Sequence, residues 1–485
     1  MGRNRADQNR RVRSTSRWIA VAALVAALLS SAARAQAVSP SDAKVAPSTA
    51  AVSPREVALE RRLDELEQRQ RLLEQKLELE RSSHDVLAKE PPRVSIGPRG
   101  FAIESADGAF QLRIRGLFQA DGRAYLANPA ISASDTFLIR RAMPILEARL
   151  FKIVDLRFMP DFGQGKLVLY DAYIDIHPFS WLRIRGGKFN PGIGLERLQC
   201  MANLTFVELG LPNAIVPIRD VGAQLWGEVA NGAFLYAFAV FNGVTDGTVG
   251  DFDTGDGVDF VGRIFAHPFR PLKISAVENL GIGFAASYGN QNGTPASTNL
   301  PSYKSIGQQV FFSYLVDPKP DATNTVVPRG EHYRLAPQFY YYVGPLGLLG
   351  EYVYVAQSVQ KDTSRAVLSH QAWQIQLSFV LTLDRASYDG VIPKRPFDLK
   401  KRHFGALELA GRYNELRVDK AAFPVFADVT KSAYQARSFG VALNWYLTAN
   451  TRFGINYERS DFKGGSPTGN RNAENVLFGR LQVSF

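Results

Sequence analysis

The chain has 485 residues and a formal charge of 57 − 46 = +11 at neutral pH. Seven arginines and one aspartate fall in the first 36 residues, and removing them leaves 50 − 45 = +5, so the basicity marks the N-terminus and does not point to nucleic acid. Cys200 is the only cysteine, which excludes an intrachain disulfide framework and a cysteine-based metal site.

Residues 1–37 read as a secretory signal peptide. Arg3, Arg5, Arg10, Arg11, Arg13 and Arg17 form the charged start, and Trp18 to Leu29 form an apolar core of 12 residues. Two small-x-small cleavage sites follow, Ala33-Arg34-Ala35 and Ala35-Gln36-Ala37. The apolar core is too short to cross a bilayer as a helix, and no later apolar run reaches 18 residues, so a helical membrane protein is excluded. Residues 38–54 are rich in Ala, Ser and Pro and read as a flexible linker.

Residues 55–90 change character and read as a helix. Leu59, Leu63, Leu66, Gln70, Leu73 and Leu77 repeat at 4-3-4-3-4 spacing, a coiled-coil seam. A helix this polar cannot bury such a stripe by itself, so the spacing predicts partner helices, with Gln70 as a register-setting polar layer. A single solvated helix is the plainer alternative. Pro91 and Pro92 end the helix before a domain spanning 95–485.

That domain alternates with period two. From Phe110, one parity carries Phe110, Leu112, Ile114, Phe118 and Ala120, and the other carries Gln111, Arg113, Arg115, Gln119 and Asp121. Half-apolar strands of this kind suit a sandwich, a soluble barrel or an outer-membrane barrel. Three features select the last. The strands are about ten residues long, enough to cross a bilayer at a tilt. Short turns such as Asn231-Gly232 alternate with long polar loops such as 243–257 and 460–473. The chain ends in an apolar strand whose last residue is Phe485, which resembles the recognition signal of bacterial outer-membrane barrels.

Candidate strands begin near 110, 137, 153, 167, 181, 221, 233, 258, 280, 306, 332, 347, 370, 403, 436, 451 and 475. A barrel with both ends on one side needs an even number. The segment 306–316 is set aside because Pro295, Pro301, Pro318, Pro320 and Pro328 surround it, which makes 290–331 one long external loop. The prediction is an all-β fold, a sixteen-stranded antiparallel transmembrane barrel preceded by a short coiled-coil helix, wide enough for an aqueous channel.

Several segments resemble the phosphate-selective porin O and P family. They are Leu117–Arg123, Phe137–Arg141, Arg185–Phe189, Gly194–Arg197, Asn203–Phe206, Arg412-Tyr413, Leu443–Tyr446 and Arg480–Phe485. The resemblance covers roughly residues 95–485 and implies a homotrimeric anion porin whose third loop folds into the lumen. It also implies that Arg123, Arg140 and Arg141 contribute to an anion site and that Asp171 is a constriction carboxylate.

Parity assigns the lumenal face independently. A lipid-facing arginine near the midplane costs about 2–4 kcal/mol, so the charged parity must face inward. Arg113, Arg115, Asp121 and Arg123 then line the lumen, followed by Arg141, Glu147 and Arg149, by Asp171, Tyr173, Asp175 and His177, and by Arg183 and Arg185. Arg140 has the opposite parity and is expected at a rim or bulge. Guanidinium groups suit oxyanions because they are planar and always charged, while nearby carboxylates keep binding weak enough for release. The plainer reading of these residues is ion pairs that brace the barrel wall.

The third loop, 190–220, departs from the family. Leu198 to Pro217 contains no Lys or Arg and a single charge, Glu208, leaving Arg197 and Arg219 at its ends. General anion preference is therefore expected in place of phosphate specificity. Lys394, Arg395, Lys400, Lys401 and Arg402 fall in what should be a periplasmic turn. The six histidines have no ligand spacing, and no nucleophile–base pair stands out, so no metal, cofactor or enzymatic activity is expected. Two functions stay open: passive diffusion of small anions across an outer membrane, phosphate or polyphosphate among them, or a trimeric structural or adhesion barrel tethered by its coiled coil.

Overall fold

The computed structural model describes residues 54–87, 91–126, 134–251, 255, 257–319 and 323–485. The signal peptide at 1–37 and the linker as far as residue 53 lie outside the described residues. Pro54–Leu87 forms one α-helix of 34 residues, α1, along which Leu59, Leu63, Leu66, Leu73 and Leu77 are all exposed.

The remainder is a closed antiparallel barrel of sixteen strands, the fold class and strand number expected. In chain order these are β1 (Phe110–Tyr125), β2 (Thr136–Leu150), β3 (Val154–Asp161), β4 (Val168–Phe179), β5 (Leu182–Phe189) and β6 (Asp220–Val229). There follow β7 (Phe234–Phe241), β8 (Asp259–Ala266), β9 (Leu280–Asn292), β10 (Val327–Val343) and β11 (Leu346–Lys361). The last five are β12 (Ser364–Val380), β13 (Ala406–Arg417), β14 (Ala433–Tyr446), β15 (Thr451–Ser466) and β16 (Glu474–Ser484).

The sheet closes where β16 pairs with β1, from Val476 opposite Tyr125 to Ser484 opposite Leu117. At the seam, Phe485 and Gly116 exchange both backbone hydrogen bonds, at 2.9 and 3.0 Å. The Phe485 ring lies over Gly116, where a Cβ would come within 2.7 Å of it, so glycine is required there. A short hairpin, Arg93–Gly97 with Gly100–Glu104, adds onto the free edge of β1 below the seam and sets Phe101 edge-on to Phe485.

The alternation read from the sequence becomes two faces of one wall. Outward residues such as Ile139, Ile174, Ile184, Phe238, Ile375, Leu409 and Ile455 are exposed apolar groups that meet lipid. Inward positions are polar and, against expectation for an open channel, many are buried. The reason lies in the loops. Short connections such as 180–181 and 344–345 mark one end of the barrel, and most of the long ones leave the other.

Several long loops turn inward. The expected external loop 290–331 shortens to 293–326 because β9 and β10 run further than predicted, and its Tyr303, Ile306, Phe311, Phe312 and Tyr314 are buried. The segment set aside as a strand contributes only a small separate ladder, Tyr303–Lys304 with Val310–Phe312. These residues pack with Ile193, Val207, Leu211 and Ile215 of the third loop in one apolar cluster inside the lumen. The expected loop 460–473 is also shorter, since β15 continues to Ser466.

From the opposite end, the connection between β12 and β13 is more than a solvated turn. The Tyr388 hydroxyl donates to the Leu195 carbonyl at 2.6 Å, and Gln199 Nε2 donates back to the Tyr388 carbonyl at 2.6 Å. Ala386 and Val391 are buried beside it. The third loop is thus gripped from both ends of the barrel.

Candidate functional site

Pairing of β1 with β2 shifts by one residue between Gln119 and Ala120, so Gln119 faces Arg141 while Ala120 faces Ile139. Arg140 is the extra residue of this bulge, which lets two consecutive arginines reach the lumen. Arg140 donates through Nε and Nη2 to both carboxylate oxygens of Glu208, at 2.8 and 3.1 Å. Arg123 donates to the same carboxylate at 2.8 Å. Burial works against the charge on Glu208, but its pairs with Arg140 and Arg123 prevail and hold it well below the usual carboxylate range.

Arg141 serves the same loop by a different route. Arg452, Gln482, Gln119 and Arg141 stand opposite one another across β15, β16, β1 and β2. Arg141 donates to Gln119 at 2.7 Å, Gln119 to Gln482 at 2.7 Å, and Arg452 to Gln482 at 3.3 Å. This row presents its remaining donors to the third loop: Gln119 to the Met201 carbonyl, Gln482 to that of Ala202 and Arg452 to that of Leu204. Arg141 is only 2% exposed.

A second anchor is Glu196, which accepts from Gly210 N, Asn213 Nδ2, Gln374 Nε2 and Arg412 Nη1 at 2.7–3.2 Å. Arg412 also holds the Glu208 carbonyl and Glu458 and lies 4.2 Å from the Phe206 ring centre. A side chain at position 210 would collide with Gln374, its Cβ coming within 1.9 Å of the amide oxygen.

The other predicted arginines share a different wall, from β1 to β5. Arg115 pairs with Glu147 at 3.5 Å, Glu147 with Arg157 at 2.8 Å, Arg157 with Asp171 at 3.1 Å, and Asp171 with Arg219 of the third loop at 2.6 Å. A lower chain runs from Arg149 to Asp155 at 2.7 Å, to Arg183 at 3.7 Å, to Asp175 at 3.2 Å and to Arg185 at 2.6 Å. His177 also meets Asp155 at 3.0 Å. Arg183 and Arg185 stack over Trp226, and Arg185 also over Tyr173. Arg113 faces the same lumen with no ion pair among the described residues.

The two ion-pair chains and Arg113 together comprise seven arginines (113, 115, 149, 157, 183 and 185 on the wall, and 219 from the third loop) against four carboxylates (Glu147, Asp155, Asp171 and Asp175), a surplus of 7 − 4 = 3. Arg115, Arg149, Arg157, Arg183 and Arg185 keep 20–48% of their side chains exposed, so solutes reach them. The apolar cluster, by contrast, is built on strands from β7 round to β16, together with the end of β5. The water-accessible part of the lumen therefore runs beside the charged wall.

Above the third loop lies a cavity of about 370 Å³ bounded by Arg140, Arg197, Glu208, Asp246, Lys304 and Gln308. Arg197 donates to the Asn213 carbonyl at 2.8 Å and has no carboxylate partner among the described residues. Burial lowers its guanidinium to about 10, which leaves it charged at neutral pH.

The structure thus separates the nine predicted positions into two groups. Arg123, Arg140 and Arg141 contact the third loop or its supports, while Arg113, Arg115, Arg149, Asp171, Arg183 and Arg185 lie along the charged wall. Arg157 links that wall and was overlooked, although the alternation of Asp155 and Arg157 with Val154, Leu156 and Phe158 marked it. Among the described residues no cluster of His, Cys, Asp and Glu could hold a metal ion.

The family of phosphate-selective porins O and P matches the chain over residues 110–485. None of the curated proteins matches it. Among solved structures, the outer membrane channel DcaP of Acinetobacter baumannii superposes with a TM-score of 0.50 at 10% identity, covering 78% of this chain and 98% of that one. An anion-selective porin from Comamonas acidovorans gives a TM-score of 0.48 at 10% identity, covering 78% and 100%. The chain belongs to the phosphate-selective porin O and P family, and is a β-barrel channel of the bacterial outer membrane.

Proposed function

We propose that the channel passes small anions by passive diffusion, with phosphate as one permeant ion among several. The observation that carries this reading is the surplus of three arginines over carboxylates in the ion-pair chains that run over β1 to β5 and end at Arg219, five of those arginines being open to solutes. A positive, partly desolvated lining raises the local concentration of anions and depletes cations. The paired carboxylates temper each guanidinium, so an anion exchanges along the wall without being trapped. Against phosphate specificity stands the loop chemistry: Arg123, Arg140 and Arg219 are already engaged by Glu208 and Asp171, Arg141 is buried against Gln119, and among the described residues Arg197, which borders the cavity, pairs with no carboxylate.

Export by residues 1–37, assembly as a homotrimer and association of α1 with helices of other copies are parts of the same proposal. The exposed leucine seam of α1 supports the last of these. Reversal potentials of the reconstituted channel under a tenfold KCl gradient test the main reading. A potential of the sign set by chloride supports it, and cation preference or none overturns it.

A further inference from the structure

The outer face of the barrel carries a second charged feature that has no part in permeation. Registers across β11 to β15 place Tyr354, Gln371, Arg417, Gln435 and Lys463 in one row, opposite one another strand by strand. Two residues further down each strand the row is Tyr352, Trp373, Glu415, Arg437 and Asp461. Below that the face turns apolar, with Ile375, Leu377 and Phe379 on β12 and Phe439, Val441 and Leu443 on β14, all exposed. This is the order of a bilayer boundary: apolar band, aromatic girdle, then charge. Because the row lies toward the long loops, it sits at the outer leaflet.

Arg417, Lys420, Arg437 and Lys463 line an open groove of about 630 Å³ together with one carboxylate, Asp419. Glu415 and Asp461 stand in the row below, and all three carboxylates are already committed, Asp461 to Arg459 at 3.0 Å. Glu415 accepts from Gln435 at 2.6 Å and pairs with Arg417 and, at 3.3 Å, with Arg437. Asp419 accepts the Ser369 and Ala421 backbone N–H groups, each at 2.9 Å. Arg417 and Arg437 nevertheless remain 54% and 42% exposed. Lys420 sits 5.1 Å from the Tyr434 ring centre, and Lys463 has no hydrogen bond or ion pair among the described residues.

The geometry points to a docking site for the phosphorylated headgroup of an outer-leaflet glycolipid, its acyl chains lying on the apolar strands below. A free anion would gain nothing from the apolar face under the groove, whereas a lipid-borne phosphate engages both. Guanidinium groups supply paired donors for phosphate oxygens, and the two lysines supply mobile charge around them.

The test uses the full-length protein in detergent micelles and three probes: bisphosphorylated lipid A, the same lipid after dephosphorylation, and inorganic phosphate. Native mass spectrometry should find the bisphosphorylated lipid retained, the dephosphorylated lipid retained at least tenfold less, and no displacement by millimolar phosphate. Arg417→Gln with Lys463→Gln should lower retention at least tenfold while conductance and the gel mobility of the unboiled barrel stay unchanged. Lys420→Gln with Lys463→Gln, which breaks no carboxylate contact, serves as the second variant should Arg417→Gln disturb folding. Equal retention of the two lipids, undiminished retention in the properly folded variants, or displacement by millimolar phosphate would each overturn the assignment.

Discussion

Arg113 offers the cleanest test of how ions are chosen, because it faces the accessible lumen and no carboxylate among the described residues loses its partner when it is replaced. Arg113→Gln lowers the surplus from three to two. An ion passing about 5 Å from a unit charge in water feels about 0.8 kcal/mol, and screening at 0.1 M salt reduces this to about 0.5 kcal/mol. Those energies change partitioning roughly two- to fourfold, downward for anions and upward for cations. The anion-to-cation permeability ratio should therefore fall roughly four- to sixteenfold, read as a shift in reversal potential under a KCl gradient. Arg141→Ala removes the same formal charge at a buried site whose work is to support the third loop. It should leave the ratio nearly intact and instead lower thermal stability by about 1–3 kcal/mol, with a noisier open current as the loop loosens. An unchanged ratio in Arg113→Gln beside a shifted ratio in Arg141→Ala would refute the division between wall and anchor.

Glu208→Gln should free Arg123 and Arg140 and turn a weak, millimolar block of chloride current by phosphate into a tighter one; titration of the block with phosphate measures it. Glu208 is held below the range of its unfolded form, near pH 4.3, so the stability it adds is complete above that pH and is lost only as pH falls through its lower folded value. Acidification from pH 7 to 4 should accordingly leave the Glu208 anchor in place, and loop release over that interval, seen as a conductance step missing in Glu208→Gln, would count against it. Arg480 and Asp121 form a bidentate pair at 2.7 Å across the seam, both buried, so Arg480→Ala should cost about 3–5 kcal/mol and lower the temperature at which the unboiled barrel unfolds on a gel. For α1, a peptide spanning residues 52–85 should self-associate in sedimentation, and deletion of 55–82 should spare trimer and conductance while removing helical signal.

Strand number and facing were legible because period-two alternation is a local property of the chain. Even the bulge left a trace: Arg140 and Arg141 cannot both point inward from a regular strand, and neither is affordable against lipid. The filling of the lumen left no such trace. Tyr303, Phe311, Phe312 and Tyr314 are apolar in any setting, and their neighbours do not reveal that the surface they cover is the inside of a barrel. Pairings such as Arg123 with Glu208 or Leu211 with Asn414 join residues 85 and 203 positions apart, with no periodicity to connect them. The parity rule correctly sent charges inward but could not say which would remain in water.

That last distinction decides what an inward arginine does. A loop crossing a wet lumen exposes carbonyl groups to water on all sides, and only donors fixed to the wall can hold it in one place. Guanidinium is suited to this because one planar group can grip a loop carbonyl and a neighbouring side chain together, as Arg452 does with Leu204 and Gln482, and Arg412 with Glu208 and Glu458. Such an arginine is enclosed by the loop it holds and loses contact with passing ions. An arginine shared between wall carboxylates, as Arg183 is between Asp155 and Asp175, keeps an open side. On the function proposed here, the same residue type shapes the channel where it is buried and selects ions where it is exposed. A lysine substituted at the buried positions would keep the charge but lose one arm of the grip, so it should fail structurally, while at Arg113 or Arg183 it should preserve selectivity.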